Sequence, residues 1–215
     1  MEGMIDFELI YVADPMCSWC YGFGPEIEAL DDRFDFPTTV IVGGLRPGPA
    51  AQPLDDSLRS TLLHHWEAVG ERTGQPFDPS GLDRDHWTYD TLVPDTAVVL
   101  MRQRNPDAVL PFFERLQSAF YAEGVDITDP AVYPALVTGF DVDPDAFVVG
   151  LTSDPALEAA YTDFGKARGL GANGFPSLFL RADDEIFLVS RGYAPADMLE
   201  RALRAFIEER FASSA

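Results

Sequence analysis

The chain has 215 residues, 47% of them hydrophobic and 24% charged, which is the composition of a globular protein large enough to bury a core without disulfide staples. Fifteen Lys+Arg against 36 Asp+Glu leave a formal net charge of −21, so no general basic surface is available for nucleic acid or an anionic membrane. Two cysteines exclude a disulfide-rich scaffold and a closed four-cysteine zinc site.

Met1 to Glu8 carries no basic n-region, and no apolar stretch of signal-peptide length follows. No window approaches the ~20 apolar residues of a spanning helix, so the expected location is the cytoplasm. Lys166 is the only lysine, and an acidic, lysine-poor surface reads as adaptation to the host rather than as the mark of a partner.

Phe7 to Val12 alternates loosely and is rich in β-formers, which predicts a strand. Asp14-Pro15 breaks it. From Cys17 to about Phe34 the spacing of Trp19, Phe23, Ile27 and Leu30 predicts a helix, with Pro25 inside it as a kink. Thr38 to Val42 is a second strand closed by Gly43-Gly44, and Arg46 to Pro53 reads as a Pro/Gly-rich loop. The next hundred residues are mostly helical: 57–73, with Gly74 as a C-terminal cap, then 94–103 and 108–123, then shorter segments at 130–138, 144–151 and 155–168. Several of these begin at Asp-Pro, a favoured helix entry. Ser177 to Leu180 and Glu185 to Val189 are strands joined by a turn at Ala182-Asp183-Asp184, and Pro195 to Phe211 is a closing amphipathic helix.

The order strand, helix, strand, helical block, strand, strand, helix predicts an α/β fold. The β-α-β half should be parallel and the last two strands antiparallel. One sheet results only if the helical block is an insertion. The expected division is residues 1–50 with 170–215 as the sheet domain and residues 51–169 as a helical insertion domain.

The two cysteines form Cys17-Ser18-Trp19-Cys20, directly after a strand and at the start of a helix. There the first sulfur meets free backbone N–H groups and the positive helix end, which stabilise its thiolate. The second sulfur lies one turn on, placed to attack a mixed disulfide formed by the first. Cys17 is therefore the expected nucleophile and Cys20 the resolving thiol. Other uses of the pair fit less well. A zinc half-site needs two further ligands from His64, His65 and His86. Haem attachment needs histidine where Tyr21 stands. A structural disulfide closing so short a loop gains little. Two inert buried thiols fit the strand-to-helix placement poorly. No metal is expected.

Gly174-Phe175-Pro176 precedes the third strand. Proline cannot donate to a sheet ladder, and a strand-entry role is the simplest local account of it. His64 and His65 are adjacent on a helix, point to different faces, and are read as surface or packing residues. Trp19, Tyr21 and Phe23 border the dithiol; Tyr21 and Phe23 are expected in the core and Trp19 at the surface. Gly43 and Gly44 are read as turn glycines, and Asp14 as a turn or cap residue.

Asp14-Pro15-Met16-Cys17-Ser18-Trp19-Cys20-Tyr21-Gly22-Phe23 resembles the cytoplasmic, FrnE-like branch of the DsbA-like thioredoxin-fold family. Ala119 to Ile127 is similar to a segment of the inserted helices in that family, and Gly171 to Ser177 resembles its cis-proline loop. The resemblance covers nearly the whole chain. It implies a thioredoxin-like fold with a helical insertion and a cis Phe175–Pro176 bond opposite the cysteines. It also implies that the Phe175 backbone pairs with an extended substrate, with Ser18, Trp19, Phe175 and Pro176 as supporting residues. The activity it implies is thiol–disulfide oxidoreduction on cysteine-containing polypeptides, without a cofactor beyond the redox-active disulfide. Glutathione or a thioredoxin-type system is the expected reductant, and neither nucleic acid nor a membrane is an expected partner.

Two features depart from the wider family. Tyr11 stands where many thioredoxin-fold enzymes keep a buried carboxylate as proton acceptor for the second thiol. Ser-Trp replaces the Pro-His found between the cysteines of strongly oxidising members. In a cytosol poised at roughly −220 to −320 mV, reduction or isomerisation is the easier direction. Two alternatives stand beside this one. The first is a glutathione-dependent isomerase or transferase of the 2-hydroxychromene-2-carboxylate isomerase or kappa type, whose members carry serine in place of the dithiol. The second is a non-catalytic, chaperone-like polypeptide-binding module.

Overall fold

A computed structural model describes residues 6–214; the reading of Met1–Ile5 and the last residue of the division above lie outside them. Strand β1 (Phe7–Ala13) leads through the Asp14-Pro15 break into helix α1 (Ser18–Arg33) and then strand β2 (Thr38–Val42). Cys20, Phe23, Ile27 and Leu30 are fully buried on one face of α1, as the three-and-four spacing requires. Pro25 sits exposed within the helix. The helix closes where the Phe34 N–H donates to the Leu30 carbonyl.

Next come a short strand β3 (Gln52–Pro53), helix α2 (Asp56–Thr73), strand β4 (Thr88–Tyr89), and helices α3 (Leu92–Arg104) and α4 (Val109–Tyr121). Helices α5 (Tyr133–Leu136), α6 (Pro144–Leu151) and α7 (Asp154–Gly169) complete the segment. Asp55 caps α2 by accepting from Leu58 N, and Gly74 ends it at φ 78°, a left-handed conformation open to glycine. The loop expected over 46–53 contains β3, paired antiparallel with β4; two-residue strands are too short to leave a periodic signal. The segment expected as one helix over 130–138 is a 3₁₀ turn at Pro130–Val132 followed by the single turn α5.

Strands β5 (Ser177–Ala182) and β6 (Glu185–Arg191) follow, and helix α8 (Ala196–Ser214) closes the chain. The turn between the strands narrows to Asp183-Asp184, with Asp183 at φ 53°. The sheet order is β2-β1-β5-β6. β1 and β2 are parallel, with Tyr11 opposite Val40, while β5 is antiparallel to both β1 and β6.

The period-2 alternation of β1 divides the core. Leu9, Tyr11 and Ala13 face the main apolar cluster with α1, whereas Ile10 and Val12 join Ile41, Ala167 and Phe179 on the α7 face. Helices α2 and α4 pack on α1, and α7 packs on β2 and α3. The chain is thus the expected β-α-β and β-β-α pair in one mixed sheet, with helices α2–α7 between the halves. Because β1 and β2 run parallel, their C-terminal ends, the start of α1, the start of β5 and the end of β6 meet at one edge of the molecule.

Candidate active site at the start of helix α1

Cys17 is the N-cap of α1, with extended backbone (φ −92°, ψ 112°) and no side-chain cap bond. Its carbonyl accepts from the N–H groups of Cys20 (2.9 Å) and Tyr21 (3.0 Å), and its own N–H donates to the Asp14 carbonyl at 3.0 Å. The asymmetry expected of the pair is visible in burial: Cys17 is 8% exposed and Cys20 is 0%. Both thiols are free, and the two sulfurs lie within hydrogen-bonding reach of each other. Burial first, then contact with Cys17, pushes the Cys20 thiol well above its ordinary range. A buried sulfur of this kind needs help to lose its proton.

The other expected residues meet at the same place. Phe175–Pro176 is the cis bond, and Cys17 Sγ donates to the Phe175 carbonyl at 3.7 Å. Ser18, at the first position of α1, is nearly buried. Trp19, expected at the surface, is half-buried, because its ring leans on Tyr193 (centroids 6.2 Å apart). Tyr21 and Phe23 are core residues, as expected. Gly44 has φ +71°, a turn glycine, but Gly43 has a different reason to lack a side chain. A Cβ there would lie 2.1 Å from Cε1 and Cζ of Phe175, so Gly43 makes room for the ring that precedes the cis proline.

Asp14 is more than the turn residue the sequence suggested. Its Oδ1 does accept from Met16 N at 2.8 Å, an Asx-type turn. Its Oδ2 also accepts from Leu45 N at 2.6 Å, and the side chain is fully buried. Burial raises its pKa to about 6, against the lowering effect of the Leu45 and Met16 amides. Behind it lie Thr91 and Asp95, both fully buried, with the Thr91 hydroxyl donating to Asp95 Oδ2 at 3.0 Å. Tyr89 donates to the Met16 carbonyl, and Tyr11 donates to the Cys20 carbonyl at 3.3 Å.

Sequence reasoning missed Thr91, Asp95 and Tyr89, which come from β4 and the start of α3, at least 69 residues from either cysteine along the chain. The only local signal for this layer was the Asp-Pro before the cysteines. His64 and His65 are exposed on α2.

Three arginines stand at this edge without a carboxylate partner among the described residues. Arg46 lies over Tyr89 (5.1 Å) and Arg72 over Tyr193 (5.5 Å). Arg191 donates to the Gly171 carbonyl at 3.4 Å.

Comparison with solved structures gives 31% identity and a TM-score of 0.86 to a protein of Nitrosomonas europaea provisionally described as a protein disulfide isomerase, over 95% of this chain and 98% of that one. The cytosolic disulfide reductase DsbM of Pseudomonas aeruginosa is 27% identical, with a TM-score of 0.72, over 95% and 98% of the two chains. The same reductase has been solved with glutathione (26% identity, TM-score 0.73, 95% of this chain and 99% of that one). No protein-family model and no curated protein matches the chain.

Proposed function

The chain belongs to the DsbA-like thioredoxin-fold family and is a thiol–disulfide oxidoreductase, and from that starting point we propose that it works as a cytoplasmic reductase or isomerase of protein disulfides with glutathione as reductant. The observation that carries this is the unequal dithiol: Cys17, 8% exposed, at a helix N-terminus, and Cys20, wholly buried, one turn on. Cys17 thiolate attacks one sulfur of a substrate disulfide, forming a mixed disulfide and releasing the other sulfur as a thiolate. Cys20 then attacks Cys17 Sγ, the second substrate thiolate leaves, and the enzyme keeps a Cys17–Cys20 disulfide. Two thiols such as glutathione return it to the dithiol and become one disulfide themselves.

Ser18 and Trp19 set the shape between the cysteines, and the Phe175–Pro176 backbone lies where an extended chain can pair across Cys17. In a chain of charge −21, Arg46, Arg72 and Arg191 supply the local positive charge that suits the two carboxylates of glutathione. Among the described residues no helix is long and apolar enough to cross a membrane, which is compatible with the proposed location.

Glutathione-coupled reduction of insulin tests the reading. Wild type should turn over, while Cys17→Ser should lose the activity altogether and Cys20→Ser should stall after one equivalent. Turnover of a small glutathione-dependent isomerisation substrate that survives loss of Cys20 would favour an isomerase or transferase of the 2-hydroxychromene-2-carboxylate or kappa type. Suppression of aggregation with no redox turnover would favour a chaperone module.

A further inference from the structure

Two cavities adjoin between α1 and α4, with volumes of about 770 and about 260 Å³. Glu28 of α1 and Glu114 of α4 line both, which makes them one groove with this pair at the junction. Neither lining contains Cys17, Cys20 or Pro176. The α1 wall is Tyr21, Gly24, Pro25, Glu28, Asp31 and Asp32, a three-and-four spacing that puts them on one helix face. At about 1.5 Å per residue, the wall from Tyr21 to Asp32 is roughly 16 Å long.

The charge of the lining is one-sided. Six carboxylates line the larger cavity: Glu28, Asp31, Asp32, Asp35, Asp107 and Glu114. None of them has an ion pair among the described residues. The one cation in either lining, Arg102, is engaged by both Asp163 oxygens and the Val40 carbonyl. Acidic residues along a helix are ordinarily a solvated face, and five of these six are exposed. Two buried atoms at the floor have no such explanation. Gln117 of α4 is 1% exposed and lines the smaller cavity, and its Nε2 has no hydrogen-bond partner. Glu114 Oε1, at the junction, is buried without one as well. Buried polar atoms are nearly always paired, and an unpaired one is less favourable than an apolar atom in its place. Unpaired polar atoms at a cavity wall point to a polar group that enters the cavity. A primary amide turned about its terminal bond offers its oxygen in place of its nitrogen, so the floor can present amide and carboxylate oxygens to a cation.

Shape and charge define that cation. Among the described residues no three acidic, histidine or cysteine side chains gather closely enough to hold a metal ion, so the negative charge is spread along the groove rather than focused at a point. Phe36, Pro37, Leu110 and Pro111 stand beside the carboxylates and suit methylene groups. A polypeptide fits poorly. Both walls are helices whose amides are engaged internally, Pro25, Pro37, Pro106 and Pro111 have no N–H, and the Val40 carbonyl of β2 is taken by Arg102.

We propose that the groove between α1 and α4 binds a linear aliphatic polyamine, with one ammonium group seated among Glu28, Glu114 and Gln117 and the rest of the chain lying along Asp31, Asp32 and Asp35. The site stands apart from the dithiol and involves no redox step. Burial first, then the hydrogen bond and charge of Glu28 and the charge of Asp31, pushes the Glu114 carboxyl up to about 9. Near neutral pH an arriving ammonium therefore displaces a proton from Glu114, with Asp32, Asp35 and Asp107 adding negative charge around it and Arg102 already paired.

Titration calorimetry of the full chain with spermidine tests the proposal. One spermidine should bind per chain. Glu28→Gln should weaken binding by roughly tenfold, the scale of a lost hydrogen bond to a charged group. Asp184→Asn, the same change of charge in the turn between β5 and β6, should leave it within about twofold, because distant exposed charges are screened. Gln117→Met removes the unpaired amide at nearly constant volume, so without ligand it should be at least as stable as wild type, yet it should bind spermidine roughly tenfold more weakly. In buffers of unequal ionisation heat near neutral pH, binding should release a proton, and Glu114→Gln should abolish the release.

No saturable binding of spermidine would overturn the proposal, as would binding that Glu28→Gln and Gln117→Met leave unchanged. An equal loss in Asp184→Asn would also overturn it, being the mark of diffuse attraction to a chain of charge −21. Cys17→Ser should bind spermidine as wild type does, so this site and the dithiol reading can fail separately.

Discussion

Gly43 lacks a side chain because the Phe175 ring fills the space a Cβ would take, 2.1 Å from two ring carbons. The Phe175 carbonyl also accepts from Cys17 Sγ at 3.7 Å, so pushing the ring should move the backbone edge proposed to pair with substrate. Gly43→Ala is expected to slow the loading of Cys17 by about tenfold and to destabilise the fold by about 1–3 kcal/mol, the usual cost of overpacking. Loading kinetics and urea unfolding read the two effects, and a variant unchanged in both would show that the ring has room to move. Much of the site was legible at this scale. A C-x-x-C at a strand-to-helix junction and a Phe-Pro before a strand are local patterns, and each has a physical reason to be where it is. The second layer was not legible. Nothing in the local sequence of Thr91 or Asp95 marks them as neighbours of Asp14, because only the packing of α3 against the core brings them there.

Among the elements, α3 and α7 are bound to the sheet by one buried ion pair. Arg102 of α3 donates to both Asp163 oxygens (2.7 and 2.9 Å) and to the Val40 carbonyl of β2 (2.6 Å). The Asp163 carboxyl is 1% exposed, and Lys166 alone would be left to balance it. Removing one partner of a buried pair leaves an uncompensated charge, at a cost of roughly 3–5 kcal/mol. Arg102→Met should therefore lower the urea midpoint sharply, and Arg102→Met with Asp163→Leu should recover much of the loss. A single variant as stable as wild type would mean that water or Lys166 compensates.

The long elements were readable because their apolar spacing is strong; α1 and α2 begin and end within a residue of where the spacing and caps place them. The short ones were not. β3 and β4 hold only two residues each, and their pairing follows from the fold rather than from any pattern of their own.

At the scale of the whole molecule, the formal charge of −21 overstates what the folded chain carries. Burial pushes the Asp95 carboxyl well above its ordinary range, and burial beside Glu28 pushes the Glu114 carboxyl up to about 9. What remains negative surrounds an edge where three arginines have no carboxylate partner among the described residues, and that edge is where the two halves of the sheet bring the dithiol, the cis proline and the end of β6 together. The account stands on Cys17 being the sulfur that bonds to substrate and Cys20 the one that releases it.

The most direct test is intact-mass and peptide analysis of Cys20→Ser after incubation with oxidised glutathione and with a scrambled-disulfide protein. A stable mixed disulfide on Cys17, absent from Cys17→Ser and transient in wild type, is the predicted result. No adduct on Cys17, or equal adduct in the variant lacking it, would contradict the assignment.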